Sequence, residues 1–132
     1  MAKIRKVRAI LTAPAGINLI VVKVETDEPE LYGVGCATFA YREKAVKCMV
    51  EDYFSPLLEG RDVANIEDLW HLMNTNSYWR NGPVTNNAAS GVDIALGDGN
   101  HVVKTVYAPK LRALAPLHAH LDQERAPGAV GN

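Results

Sequence analysis

Short stretches of alternating apolar and polar residues open the chain. Residues 3 to 12, 17 to 26 and 31 to 38 are rich in Ile, Val, Leu and Thr, and the breaks between them carry Pro14, Gly16, Asp27 and Pro29. Period-two patterning bounded by turn residues predicts three short strands joined as a meander. In the third strand Gly33 and Gly35 offer no side chain to pack. Such positions point to a bulge or to another piece of backbone lying close by.

After Tyr41 the repeat lengthens. Ala45, Val46, Met49, Val50 and Tyr53 recur at helical spacing, with Glu43, Lys44, Lys47 and Glu51 free to occupy the opposite face, which predicts an amphipathic helix ending near Pro56. A second helix is expected from Asn65, a good N-cap residue, with Ile66, Leu69, Trp70 and Met73 on one side and an end between Asn74 and Ser77. A third begins at Pro83, a favourable first-turn residue, and runs through Ala88, Ala89, Ser90, Gly91, Val92, Ala95 and Leu96. Its small residues permit close packing. Gly97, Gly99 and Asn100 are expected to stop it. Three strands followed by three helices make an α+β fold, with the helices segregated to one face of an antiparallel sheet.

Residues 1 to 96 are therefore the expected folded unit, and residues 97 to 132 a divergent tail. The tail holds a strand-like run from Val102 to Tyr107, then Leu111, Leu114, Leu117 and Leu121 at helical spacing broken by Pro116.

Composition narrows the function classes. A length of 132 residues with 48% hydrophobic and 22% charged side chains suits one modest globular core. Fourteen Lys and Arg against fifteen Asp and Glu leave a net charge of −1 with the signs interspersed, so no nucleic-acid partner is expected. The basic residues Lys3, Arg5, Lys6 and Arg8 lie within the first strand and read as its solvated face. Two cysteines and the absence of an apolar leader suggest reduced thiols in a cytoplasmic protein. No apolar run approaches the roughly 20 residues that cross a bilayer, so no membrane partner is expected.

The chain contains no CxxC pair, HExxH, phosphate-binding glycine loop or GxSxG elbow. His118 and His120 could share a strand face, but zinc wants three or four ligands and nothing suggests the others. Asp93 and Asp98 read as solvated or capping groups, and Cys36 as a small buried hydrophobe. Two connections stand out. Cys36-Ala37-Thr38-Phe39-Ala40-Tyr41-Arg42-Glu43 joins strand to helix, and Ser77-Tyr78-Trp79-Arg80-Asn81-Gly82-Pro83-Val84 joins helix to helix. Aromatic rings and guanidinium groups on loops can grip a ligand, the ring as an apolar platform and the Arg as a forked donor for carboxylate. Equally, Tyr and Trp can plug the ends of a core while Arg caps carbonyls.

These segments resemble a known group. Lys3-Ile4-Arg5-Lys6-Val7, Asn18 to Asp27, Tyr32-Gly33-Val34-Gly35-Cys36-Ala37-Thr38-Phe39 and Ile66-Glu67-Asp68-Leu69-Trp70 resemble the N-terminal capping domain of the mandelate racemase and muconate lactonizing group of the enolase superfamily. Tyr78 to Val84, followed by Ser90-Gly91-Val92-Asp93-Ile94-Ala95-Leu96, is similar to the mannonate and galactonate dehydratase-like branch, which includes the starvation-sensing proteins. The resemblance covers residues 1 to 96.

What the resemblance implies is a cap lying over the mouth of a modified (β/α) barrel. In the full-length family the barrel holds Mg²⁺ on carboxylates and dehydrates a sugar acid, a lyase reaction, while the cap closes the site and reads the far end of the substrate. Carried over, the implied lid loops are Thr12 to Asn18 and Cys36 to Arg42, with Tyr78 to Asn81 as a third. The lid candidates are Asn18, Thr38, Phe39, Tyr41, Arg42, Tyr78, Trp79, Arg80 and Asn81. Phe39-Ala40-Tyr41 departs from the mannonate-dehydrating pattern, which places an Asn in this loop. Beyond Leu96 the family continues with a Trp-Asp-Ile-Lys-like helix into the barrel, whereas this chain reads Gly97-Asp98-Gly99-Asn100-His101. The expectation is a truncated or frame-shifted product with no metal or catalytic residues of its own. The alternative is a stand-alone module that self-associates through the surface a barrel would cover.

Overall fold

A computed structural model of the protein describes residues 2–101. Val102 to Tyr107, the leucine-spaced segment Leu111 to Leu121 and the pair His118 and His120 lie outside the described residues.

The meander forms as expected. Strands β1 (Ile4–Thr12), β2 (Leu19–Thr26) and β3 (Tyr32–Cys36) pair antiparallel in the order β1-β2-β3. Pairing pinches between Ile4 and Lys6, where the register shifts by one residue. That bulge lets Ile4 and Val7, three apart, both face the core although a flat strand would place them on opposite faces. Ile20, Val22 and Val24 of β2 lie on the same face and are buried. On the other face Glu25 accepts an ion pair from Arg8 at 3.3 Å and from Lys23 at 3.5 Å, so part of the N-terminal basic cluster is balanced by a cross-strand carboxylate.

Among the described residues the first helical run and the last helix pack on the apolar face of the sheet, and the helix between them packs on the last, which makes the fold α+β. The first helical run consists of α1 (Glu43–Cys48), a π-helical segment (Met49–Phe54) and α2 (Ser55–Leu58) without a break. Its buried apolar residues are Val46, Val50, Phe54 and Leu58, spaced four apart. In a regular α-helix each step of four residues drifts by about 40° around the axis. The wider i→i+5 turn takes up this drift and keeps the four side chains in one row. Ala45 and Tyr53, expected on the apolar face, consequently turn to solvent. The run ends at Leu58, close to the expected end near Pro56.

Two side chains of this run close the outer edge of β1. Ser55 Oγ accepts the Val7 N–H at 2.9 Å, and Glu51 Oε1 accepts the Ala9 N–H at 3.1 Å. Farther along, Ile4 exchanges backbone hydrogen bonds with Arg61 and Gly60, both 2.8 Å. Sequence reading put Glu51 on the solvated face, yet here it protects a strand edge.

Helix α3 (Ile66–Thr75) starts after Asn65 as expected, although the Asn65 side chain makes no capping bond. Helix α4 (Pro83–His101) starts at Pro83 but does not stop at Gly97. It passes through Gly97 and Gly99 and reaches His101, correcting the expected helix end. A mid-helix glycine costs only about 1 kcal/mol, and Val92, Ala95 and Leu96 are buried directly before it.

Helix α4 and strand β3 approach each other closely. A Cβ placed on Gly35 would meet the Gly91 carbonyl oxygen and lie 2.8 Å from Ala95 N, while one on Gly91 would lie 2.5 Å from Ala37 Cβ. Gly35 thus supplies the close backbone approach that its sequence suggested, and no register shift interrupts the β2–β3 pairing.

Candidate functional site

The end of the sheet where β1 hands over to β2 carries the first two candidate loops. Thr12 pairs with Leu19, so the connection through Ala13 to Asn18 emerges there. It is a tight turn, with Ala15 at φ 53° and Gly16 at φ 77°. Cys36 pairs with Val21, and Ala37 N–H donates to Ile20 O at 3.0 Å, so the Cys36 to Arg42 connection leaves β3 at the same end.

The third loop is brought there by helix direction. Going forward along the chain from Gly35 to Ala37, the opposing residues of α4 go backward from Ala95 to Gly91. Helix α4 therefore runs antiparallel to β3. Its N-terminal end, with the Tyr78 to Gly82 connection ahead of it, points to the same end of the sheet as the first two loops.

Within Cys36 to Arg42 the candidates divide by role. Thr38 Oγ1 accepts the Ile20 N–H at 3.1 Å, and Phe39 is partly buried against the core, so both fasten the loop to its base. Tyr41 is 87% exposed and sits at φ 70°. A left-handed backbone at a bulky residue costs about 1–3 kcal/mol and persists only where neighbours hold it. Here Glu43 Oε1 accepts the Tyr41 N–H at 3.1 Å, and Arg42 Nη1 donates to Tyr41 O at 2.7 Å. Asn18 Nδ2 donates to the same Glu43 oxygen at 3.2 Å. An open groove of about 340 Å³ runs between the first loop and the start of the helix that follows the second, with Thr12, Asn18, Leu19, Glu43 and Lys44 among its walls.

Its own backbone N–H, the Asn18 amide and the Tyr41 N–H hold the Glu43 carboxyl below the usual glutamate range, with a smaller contribution from the Arg42 charge. The contacts thus favour the ionised form and persist above the ordinary glutamate pKa. They weaken as pH falls through the lowered value.

In the third loop Tyr78 and Trp79 are 89% and 86% exposed and meet edge to face, ring centroids 5.2 Å apart. Arg80 is exposed as well. Asn81 is less free. It takes φ 76°, a backbone that Asn tolerates better than most, and its side-chain oxygen accepts from Asn86 Nδ2 at 2.6 Å. Asn81 accordingly shapes the turn into α4.

Glu43 is the residue sequence reading missed. Its position in the first helical turn placed it on a solvated face. The only signal was an acidic residue directly after an aromatic loop.

Both cysteines are exposed. This corrects the expectation of a buried Cys36, whose Sγ lies 3.0 Å from Thr38 Oγ1 at the strand end. The Cys48 thiol donates to Asp52 Oδ2 at 3.3 Å, and that bond, with some burial and the Asp52 charge, pushes its pKa up. A raised pKa suppresses the nucleophilic thiolate. Among the described residues no three His, Cys, Asp or Glu side chains come together to hold a metal ion, and no helix is long and apolar enough to cross a membrane.

Three loops at one end of a helix-backed meander form an arrangement that can be compared directly with known proteins. Residues 3–106 match the mandelate racemase / muconate lactonizing enzyme, N-terminal domain. The chain belongs to this family. The match extends past Leu96 into the segment that sequence reading set apart as a tail.

A D-galactonate dehydratase family member from Enterocloster bolteae is 61% identical over 95 residues, covering 72% of this chain and 24% of that protein. Another, from Musicola paradisiaca, is 52% identical over 125 residues, covering 91% of this chain and 30% of that protein. Among solved structures, an enolase from Pantoea ananatis with bound D-gluconate and Mg superposes with a TM-score of 0.72 at 55% identity, over 74% of this chain and 24% of that one. The chain thus spans about a quarter to a third of the length of the relatives it matches. The resemblance to this family and branch, read from the N-terminal motifs, is borne out.

Proposed function

We propose that this chain is the substrate lid of a Mg-dependent sugar-acid dehydratase of the mannonate and galactonate type, and that it has no turnover of its own. The observation that carries this reading is the convergence of three connections on one end of the sheet, with Tyr41, Tyr78 and Trp79 almost fully exposed there beside Arg42 and Arg80. Rings and guanidinium groups this exposed lie outside the core, and together they suit a polyhydroxylated carboxylate, the rings stacking on its carbon chain and the Arg groups reaching its oxygens. Asn18 supplies a further amide on the facing loop. Thr38, Phe39 and Asn81 act indirectly, by fixing loop shape. The names of the dehydratase relatives, and the D-gluconate and Mg bound by the Pantoea ananatis protein, agree with this substrate class.

In this reading the metal and the proton-transferring groups belong to a barrel, and the family's Mg²⁺ would be held there. Incubating the 132-residue chain with Mg²⁺ and a panel of sugar acids is expected to give no 2-keto-3-deoxy acid above the uncatalysed background. Metal-dependent product formation by the chain alone would overturn the assignment.

A second reading, self-association, draws on another face. Trp70 and Ile94 are 42% and 50% exposed on α3 and α4, two helices in contact. Large apolar groups left in water on neighbouring elements favour an interface. Sedimentation velocity is expected to show a concentration-dependent shift toward dimer or larger species, and Trp70→Lys to suppress it. A clean monomer at high concentration would count against this reading.

A further inference from the structure

We propose that Glu43 is a positioning residue that clasps two lid loops together, holding Asn18 and the Tyr41–Arg42 turn in one fixed arrangement. The inference rests on the lid reading for its functional meaning, but its geometry stands apart from it.

A single carboxylate oxygen, Glu43 Oε1, accepts from Asn18 Nδ2 at 3.2 Å and from Tyr41 N–H at 3.1 Å. The two donors come from different connections, one between β1 and β2 and the other between β3 and α1. Glu43 itself opens α1, which is anchored one turn later by the fully buried Val46. A rigid element thus presents one acceptor to two loops. The left-handed Tyr41 needs such support, because nothing intrinsic to a tyrosine backbone favours φ 70°. Arg42 Nη1 holds the other side of the same residue by donating to Tyr41 O at 2.7 Å.

The consequence is that the loops do not move independently. When Asn18 lets go of Glu43, the carboxylate is freer to swing and the Tyr41 N–H loses part of its hold. When Glu43 is removed, both loops are released and Tyr41 relaxes toward negative φ. A lid built this way presents Asn18, Tyr41 and Arg42 as one surface, and the lost side-chain freedom is settled before a ligand arrives.

Amide hydrogen exchange on the full chain tests this, comparing Glu43→Ala, Glu43→Gln, Asn18→Ala and the Asn18→Ala/Glu43→Ala pair. Glu43→Ala is expected to speed exchange at Tyr41 by about tenfold, the loss of one charge-assisted hydrogen bond. Asn18→Ala should speed exchange in residues 39 to 42 by about two- to fivefold, with the thermal midpoint unchanged. The double variant should match Glu43→Ala alone, because the coupling runs through one carboxylate. Glu43→Gln keeps an oxygen acceptor and should restore most of the protection. Residues 39 to 42 exchanging at the wild-type rate in Asn18→Ala, or additive effects in the pair, would overturn the clasp. Asn18 is exposed, so its variant decides the matter even if Glu43→Ala does not fold. No substrate enters the measurement, so a failed clasp leaves the lid reading intact, and a failed lid reading leaves the clasp.

Discussion

Replacing Gly35 by alanine is expected to destabilise the domain by about 3 kcal/mol or more, at the severe end of overpacking substitutions. The new methyl would collide with the Gly91 carbonyl oxygen and sit 2.8 Å from Ala95 N. Both obstacles are helix backbone. A flexible side chain could rotate away, but these atoms can move only if α4 as a whole backs off β3. That shift would open the interface around Ala88, Val92 and Ala95, all fully buried. Each apolar side chain so loosened forfeits part of the 1.5–3 kcal/mol or so that full burial of a Val-sized group contributes. Gly97→Ala is the matched control. It lies on the same helix with nothing within 4 Å of the added Cβ, so helix propensity alone should raise stability by up to about 1 kcal/mol. Urea denaturation of both variants checks the pair. A Gly35→Ala domain within about 0.5 kcal/mol of wild type would mean that α4 does not approach β3 as closely as described.

The same contact explains what could be read from the sequence. A glycine in a strand advertises missing bulk, so Gly35 is a local signal, although the helix that fills the space is brought there only by the fold. The meander was equally legible, because period-two patterning and turn residues are short-range features. The α4 end was not. Gly97 and Gly99 look like a stop signal, but their propensity cost is small beside the packing of Val92, Ala95 and Leu96, and tertiary contacts outweighed local preference. The first helical run misled for a different reason. A 3.6-residue template assigns Tyr53 to the core, whereas the π-helical segment puts Phe54 there, and no local residue type announces a π-turn.

The candidate loops were legible through their aromatics and arginines and through the family resemblance. How each side chain is used was not. Thr38 and Asn81 spend their polar groups on backbone and on Asn86, while Glu43, a residue of no evident interest in the sequence, bridges two of the loops. Such roles depend on which loops meet in space, and sequence spacing does not carry that.

The lid assignment is tested most directly by transplanting it. Residues 3 to 96 of this chain can replace the matching segment of the Pantoea ananatis relative, which is 55% identical across the aligned region. If these residues form a working lid, the chimera should fold, bind Mg²⁺ and bind D-gluconate, the ligand of the parent, with a Kd within about tenfold of the parent's. Arg42→Ala or Tyr41→Ala in the chimera should then raise that Kd by about ten- to a hundredfold, as expected for a lost charged or stacking contact. A chimera that folds and binds metal but has lost D-gluconate binding entirely, or one in which both substitutions leave the Kd unchanged, would contradict the assignment of these loops to substrate recognition.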